Sequence, residues 1–192
     1  YGLAHFQDGL LFFQFFGVDQ NYHMLWGKYD NDLLDTYKLV DRTVAWVRKH
    51  MGNATLIVMS DHGFTSFDRA VNLNSWLMKE GFLALNNPDD AGGDEMFAHV
   101  DWSRTKAYSI GLNAVYINQL DRERYGVVAP GEETKIVLND LKQRLLAFRD
   151  PKDGKSVVAS TFTPGDTREA PSDTAPDLIV GYYPGYRSSW QT

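Results

Sequence analysis

Two pairs of acidic and histidine side chains stand out because each pair follows an apolar run. Asp19 and His23 lie four residues apart after "GLLFFQFFGV", and Asp61 and His62 are adjacent after "LIVMS". Carboxylate oxygen and imidazole nitrogen together suit zinc, manganese or iron, whereas calcium or magnesium alone would favour oxygen ligands. Two such ions about 4 Å apart can clamp the attacking and leaving oxygens of a phosphoryl transfer. The pattern therefore predicts a binuclear metal centre.

Each pair taken alone also has a structural interpretation. Asp61 could cap the turn that follows it while His62 packs beside it, and an isolated Asp-x-x-x-His is weak evidence for a site. The spacing of Asp19 and His23 places both side chains on one face only if the segment turns helically. The joint occurrence of two Asp and two His is the stronger observation, and it favours the metal-centre interpretation.

The elements around these residues predict how the two pairs meet. Residues Gly9–Asp19 read as a strand buried on both faces, and "NDLLDTYKLVDRTVAWVRKHMG" has the three- and four-residue apolar spacing of an amphipathic helix. "ATLIVMS" then reads as a second strand. A right-handed crossover would make the two strands parallel neighbours. Since ligands bind at the carboxyl ends of such strands, Asp19 and Asp61 are expected at one edge.

The rest of the chain continues the alternation of strands and helices. "VNLNSWLMKEG" and "PGEETKIVLNDLKQRLLAFRD" are predicted helices, and "TKAYSIG", "NAVYIN", "KSVVASTFTPG" and "PDLIVGYYPG" are predicted strands. This order indicates an α/β fold. We expect a mostly parallel central sheet with helices on both faces, in one domain spanning residues 1–192, with a possible small cap or insertion at about residues 82–125.

Composition excludes several classes of function. The chain has 192 residues, a net charge of -6 and no cysteine. An acidic surface argues against binding a nucleic-acid polymer, because phosphate contacts need basic side chains. The lack of cysteine removes disulfides, thiolate catalysis and cysteine-zinc sites. No apolar run has the length of a membrane span.

"VMSDHGF" and "VDQNYHMLWG" resemble the metal motifs of the alkaline phosphatase superfamily. The closer resemblance is to the type I phosphodiesterase/nucleotide pyrophosphatase family, in which strand-Asp-x-x-x-His, helix and strand-Asp-His-Gly follow in this order. "AVYINQLDRERYGVV", "DGKSVV" and "APDLIVGYYPGYR" are similar to its later segments, so the resemblance covers most of the chain. One departure is Tyr22, where many relatives have Gly, and it bears on the substrate more than on metal binding.

The resemblance implies a role for each residue. Asp19 and His23 would bind one divalent ion, and Asp61 and His62 the other, with zinc as the first expectation and manganese as the alternative. The implied reaction is hydrolysis of a phosphodiester or pyrophosphate bond in a small nucleotide-like molecule, by double displacement through a Thr or Ser nucleophile. The nucleophile is expected upstream of Tyr1 and one further His ligand after Thr192.

If those residues lie outside the chain, these 192 residues are a fragment that would bind metal weakly and would be inactive alone. Family analogy suggests a periplasmic or extracellular protein, and the sequence says nothing of oligomeric state. Two alternatives stay open. One is another reaction of the superfamily, that of a sulfatase, a phosphonate hydrolase or a phosphomutase. The other is a non-catalytic domain of the same fold.

Overall fold

The secondary structure mixes helices with both parallel and antiparallel strands, which confirms the α/β class. The computed structural model describes residues 8–87, 89, 97–163 and 174–189. The chain divides into two units, Tyr1–Phe64 and Thr65–Thr192. Among the described residues, no helix has the length and apolar character needed to cross a membrane.

The first unit contains two helices whose charges suit their ends. Helix α1 spans Phe16–Leu25 and helix α2 spans Asp30–His50, as the periodicity predicts for α2. Acidic side chains lie in the first turn of both helices and basic ones in the last turn, so the charges oppose the helix dipole. Gly52 follows α2 with a φ of 60°, a backbone conformation that glycine adopts without strain.

A hydrogen bond and a ring contact join the two helices. The Asn21 side-chain amide of α1 donates to the Thr36 hydroxyl of α2 over 3.0 Å. The rings of Tyr22 and Tyr37 meet edge-on, with their centroids 5.5 Å apart. Tyr22 and Leu33 are the buried apolar side chains described in this unit.

Two predicted strands of the first unit are wrong. Residues 9–15 have no regular secondary structure and Asp19 lies inside α1, while residues 54–60 are also irregular. A strand needs a neighbour for its backbone N–H and C=O groups, and no described residue pairs with either segment. Their apolar side chains are exposed, including Phe12, Phe13, Ile57, Val58 and Met59.

The second unit is built on a four-stranded antiparallel sheet in the order β2-β3-β5-β4. Its strands are β2 Ala107–Ile110, β3 Ala114–Ile117, β4 Val158–Phe162 and β5 Leu178–Tyr182. All four were predicted as strands. The expected parallel pairing does not occur in this sheet, where all three strand pairs are antiparallel. The tight turn at residues 111–113 forces this arrangement on β2 and β3.

Parallel pairing occurs between the first and last strands of the second unit. Strand β1 spans Phe67–Val71 and strand β6 spans Gly185–Ser188, and the two pair in parallel. In the described residues, the mostly parallel central sheet of the sequence-based expectation is represented by this strand pair and by an isolated parallel bridge between Gln119 and Val128. The expected cap or insertion at residues 82–125 stays a prediction.

Two further helices cover the second unit. Helix α3, Leu73–Lys79, is capped by the Asn72 side chain, which accepts from the Ser75 amide. Helix α4, Glu132–Ala147, buries Val137, Leu141 and Leu145 at four-residue steps. Together with the strands they enclose one contiguous core: Val71, Leu73, Trp76, Leu77, Phe82, Leu83, Val100, Ala107, Val115, Ile117, Val128, Val137, Leu141, Leu145, Val157, Val158, Leu178 and Val180.

Buried polar side chains fix the loops of this unit. The Asn118 amide nitrogen lies within 2.9–3.0 Å of the carbonyl oxygens of Trp102, Thr105 and Tyr125, and donates to them. Arg122 binds both carboxylate oxygens of Asp177, at 3.0 and 2.6 Å. Since buried polar groups are costly unless they are paired, these contacts connect the loop before β2, the loop after β3 and the residue that precedes β5.

Candidate metal centre

Helix α1 carries the first pair of candidate ligands. Asp19 and His23 are one turn apart, and a carboxylate oxygen of Asp19 lies 3.5 Å from His23 Nε2. Helical geometry brings residues four apart to the same face. The Asp19 and His23 side chains therefore share one face of α1, as the predicted ligand pair requires. The helix, not the end of a strand, positions both side chains, and both are at least half exposed.

The second pair lies on the irregular segment that follows α2. His62 Nε2 is 3.9 Å from a carboxylate oxygen of Asp61 and 3.6 Å from the same Asp19 oxygen that faces His23. The Asp19 carboxylate therefore lies close to both imidazoles. The structure brings all four predicted residues into one cluster, although neither pair is placed there by a β-strand.

Local hydrogen bonds set the orientation of His62. The Ser60 hydroxyl donates to the His62 carbonyl oxygen over 2.6 Å, and His62 Nδ1 lies 2.8 Å from the Gly63 carbonyl oxygen. Because a carbonyl can only accept, Nδ1 carries a proton and donates it. The neutral ring then has its lone pair on Nε2, the atom that faces the carboxylates. Histidines that bind metals generally hold their other ring nitrogen in this way.

The charge state of His62 follows from the same contacts. The hydrogen bond to the Gly63 carbonyl raises the pKa of His62, and the carboxylates of Asp61 and Asp19 raise it further. A protonated imidazole cannot bind a metal ion, so an ion competes with a proton for the Nε2 lone pair. Binding at His62 is therefore expected to weaken as the pH falls.

The donor chemistry and the pair spacings suit a divalent ion, but the set is incomplete. Ligand atoms of a tetrahedral zinc site are about 3.3 Å apart, close to the 3.5 Å and 3.6 Å that separate Asp19 from the two histidines. Within the described ranges, no group of three or more His, Asp or Glu side chains is arranged to hold an ion. The role of the four residues as ligands stays a prediction.

An aromatic contact at this cluster was missed by sequence reasoning. The ring of Phe64 meets the His23 ring edge-on, with centroids 5.0 Å apart, and it also contacts Tyr22 and Trp26. Phe64 is the one aromatic residue between Ala54 and Ser66. That isolated aromatic, two positions after His62, was the signal that could have identified it as a packing residue.

The comparisons with known proteins give one match. The sequence model described as "Type I phosphodiesterase / nucleotide pyrophosphatase" matches residues 5–189, which is nearly the whole chain and contains all four candidate ligands. No curated protein matches, and no solved structure does.

Proposed function

The chain belongs to the type I phosphodiesterase/nucleotide pyrophosphatase family, and on this premise we propose that the protein hydrolyses phosphodiester or pyrophosphate bonds with the help of divalent metal ions. The observation that supports the proposal most is that the His23 and His62 imidazoles both lie close to one Asp19 carboxylate oxygen, with Asp61 beside His62. A small nucleotide-like molecule is the proposed substrate, in keeping with the family.

In this proposal the two pairs hold the two ions that the family resemblance implies. Asp19 and His23 would hold one ion, and Asp61 and His62 the other, with zinc as the first choice and manganese as the alternative. Such ions offset negative charge that develops on phosphate oxygens during the reaction. No residue of this chain is assigned as the nucleophile, for which the resemblance implies a Thr or Ser.

The chain's own side chains would act by binding and orientation. The Asp19 carboxylate would offset part of the positive charge of an ion bound by either histidine. The Gly63 carbonyl fixes His62 with Nε2 facing Asp19, which avoids the cost of reorienting the ring during binding. The Nδ1 proton is held by the Gly63 carbonyl, so Nε2 is the ring nitrogen that would bind an ion.

The test is hydrolysis of bis-p-nitrophenyl phosphate by the full-length protein loaded with Zn²⁺ or Mn²⁺. We expect Asp19→Asn and Asp61→Asn to lower kcat/KM by about 100-fold or more, which corresponds to about 2.7 kcal/mol of lost transition-state stabilisation. His50→Gln is the matched control, because His50 is an exposed histidine of the same unit that bonds the Trp46 carbonyl. It should leave kcat/KM within about twofold, the size of a neutral surface change.

Parallel assays with p-nitrophenyl sulfate and p-nitrophenyl phosphate separate the related reactions. Preference for the sulfate ester would replace the proposal with a sulfatase. Equal loss of activity in the control and ligand variants would show that the cluster has no special role, and no hydrolysis by any metal-loaded form would favour a non-catalytic domain.

A further inference from the structure

The segment that carries Asp61 and His62 has one side chain that is not exposed. From Gly52 to Ser66, a stretch that the structure describes completely, every residue is exposed except Phe64, which is half-buried. The segment belongs to no strand or helix, so it has no ladder of backbone hydrogen bonds to hold it. Its position depends on side-chain contacts.

Phe64 makes these contacts with helix α1. Its ring meets Tyr22 at 5.2 Å with an interplanar angle of 68°, and His23 at 5.0 Å with an angle of 77°. Both are edge-to-face arrangements, which aromatic pairs prefer over a face-to-face stack. The centroid of the Trp26 ring is 5.3 Å from that of Phe64.

Tyr22 is in turn anchored between the two helices. It is the buried residue of α1, and its ring packs edge-on against Tyr37 of α2. Phe64 therefore packs on a residue that is itself fixed, and not on a mobile surface side chain.

We propose that Tyr22 and Phe64 form an aromatic clamp that positions the segment bearing Asp61 and His62 against the helix bearing Asp19 and His23. Neither residue touches a reacting atom, so both are positioning residues. The clamp accounts for the 3.6 Å approach of His62 to Asp19, which solvent-exposed charges alone would not maintain, because such pairs contribute little to stability. Its relevance to metal binding rests on the proposed function.

The clamp itself can be tested without metal. The chain has no cysteine, so Met24→Cys and Met59→Cys, two exposed positions of α1 and of the segment, accept one spin label each. Pulsed electron spin resonance then measures the distribution of distances between them in the full-length protein, with any cysteine outside these 192 residues replaced by serine. We expect a narrow distribution that Phe64→Ala broadens at least twofold, with Tyr22→Ala doing the same and Phe64→Leu broadening it less.

Trp46→Leu is the matched control. Trp46 stacks on His50 in the same unit, with ring centroids 4.2 Å apart, so the substitution removes an aromatic-histidine contact elsewhere. It should leave the distribution narrow. If Phe64→Ala also leaves it narrow, or if the wild-type distribution is already broad, the clamp does not exist. Tyr22→Phe, which keeps the ring and the fold, should behave as the wild type.

Titration with Co²⁺, followed by its visible absorption, tests the consequence for metal binding. Loss of an outer-shell partner that orients a metal ligand typically weakens metal binding by about 10–100-fold, and Phe64 contacts the His23 ring in that position. We expect that loss for the weaker of two bound ions in Phe64→Ala and no change in Trp46→Leu. Unchanged binding in Phe64→Ala overturns the role of the clamp in metal binding and leaves the proposed function standing. No Co²⁺ binding by the wild type overturns the proposed function, while the spin-label result still decides on the clamp.

Discussion

The two units of the chain differ in how much apolar surface they bury. Residues 65–189 enclose a contiguous core in which Leu77, Leu141 and Leu178 have no exposed surface. In residues 8–64 the buried apolar side chains described are Tyr22 and Leu33, while Leu10 and Met59 are at least 80% exposed. The candidate ligands lie in the unit with the smaller core. Regions with few buried contacts open at a low free-energy cost, so a few ring contacts carry the geometry of that cluster.

Truncation of a leucine in the larger core should cause the largest loss of unfolding free energy. Leu141→Ala removes a fully buried side chain from helix α4, and the lost burial and the cavity together cost about 2–5 kcal/mol. Ile57→Ala changes a side chain that is 75% exposed and should stay within about 0.5 kcal/mol. Urea unfolding followed by circular dichroism measures both. Similar losses for the two variants would mean that the units do not differ in the way described.

Removal of Arg122, the charged partner of Asp177, should cause the second-largest loss of unfolding free energy. Arg122→Met leaves the Asp177 carboxylate, whose side chain is 14% exposed, without its two-pronged partner. We expect a loss of about 1.5–3 kcal/mol in unfolding free energy, the range for hydrogen bonds to charged groups. Lys38→Met breaks an exposed pair with Asp35 in helix α2 and should cost at most about 0.5 kcal/mol. A cost for Lys38→Met as large as that for Arg122→Met contradicts the comparison.

Acid should destabilise the second unit through Asp150. A hydrogen bond from the Lys152 amide, with others from Arg69 and Tyr186, lowers the pKa of Asp150 to about 2. The unfolded carboxyl has a pKa of about 3.9, so this contribution is complete above pH 4 or so and is lost as the pH falls towards 2. The difference in urea midpoint between the wild type and Asp150→Asn should shrink over that interval. A constant difference would argue against the assigned cause.

The contribution of His62 to stability should change with pH in the opposite direction, and it should be the smallest of these effects. Its pKa is raised by the Gly63 carbonyl, Asp61 and Asp19, so the protonated form is favoured in the folded protein. The resulting stability is complete below the unfolded pKa of about 6.5 and is lost as the pH rises through the higher folded value. Proton NMR of the metal-free protein measures that pKa. Asp61→Asn should lower it, and an unchanged value would show that Asp61 does not contribute.

The sequence predicted the second unit better than the first, for a physical reason. Helix α4 and strands β2 to β5 have regular periodicity and bury their apolar faces within the same unit, so local pattern and packing agree. The runs at residues 9–15 and 54–60 are as apolar as buried strands, but no described residue pairs with them. Periodicity cannot report whether a partner strand is present, and that missing information made both assignments wrong.

The cluster of Asp19, His23, Asp61 and His62 was predicted from residue types, but the structural elements that bring these residues together differ from the predicted ones. The sequence-based expectation placed the side chains at the carboxyl ends of two parallel strands. In the structure a helical turn and an aromatic contact bring them together. The chemistry of four good ligands was visible in the sequence. The contact of Phe64 with Tyr22 was not, because it joins positions far apart in the chain without any repeating pattern.

The hydrogen bonds of Asn118 have a consequence for the ageing of the protein. Its side-chain nitrogen faces three carbonyl oxygens, and deamidation would replace that nitrogen with oxygen at almost unchanged volume. The attraction between the side chain and the three carbonyl oxygens would become repulsion, at a residue that is only 1% exposed. A chemical lesion too small to alter packing would therefore disconnect the loops that meet there.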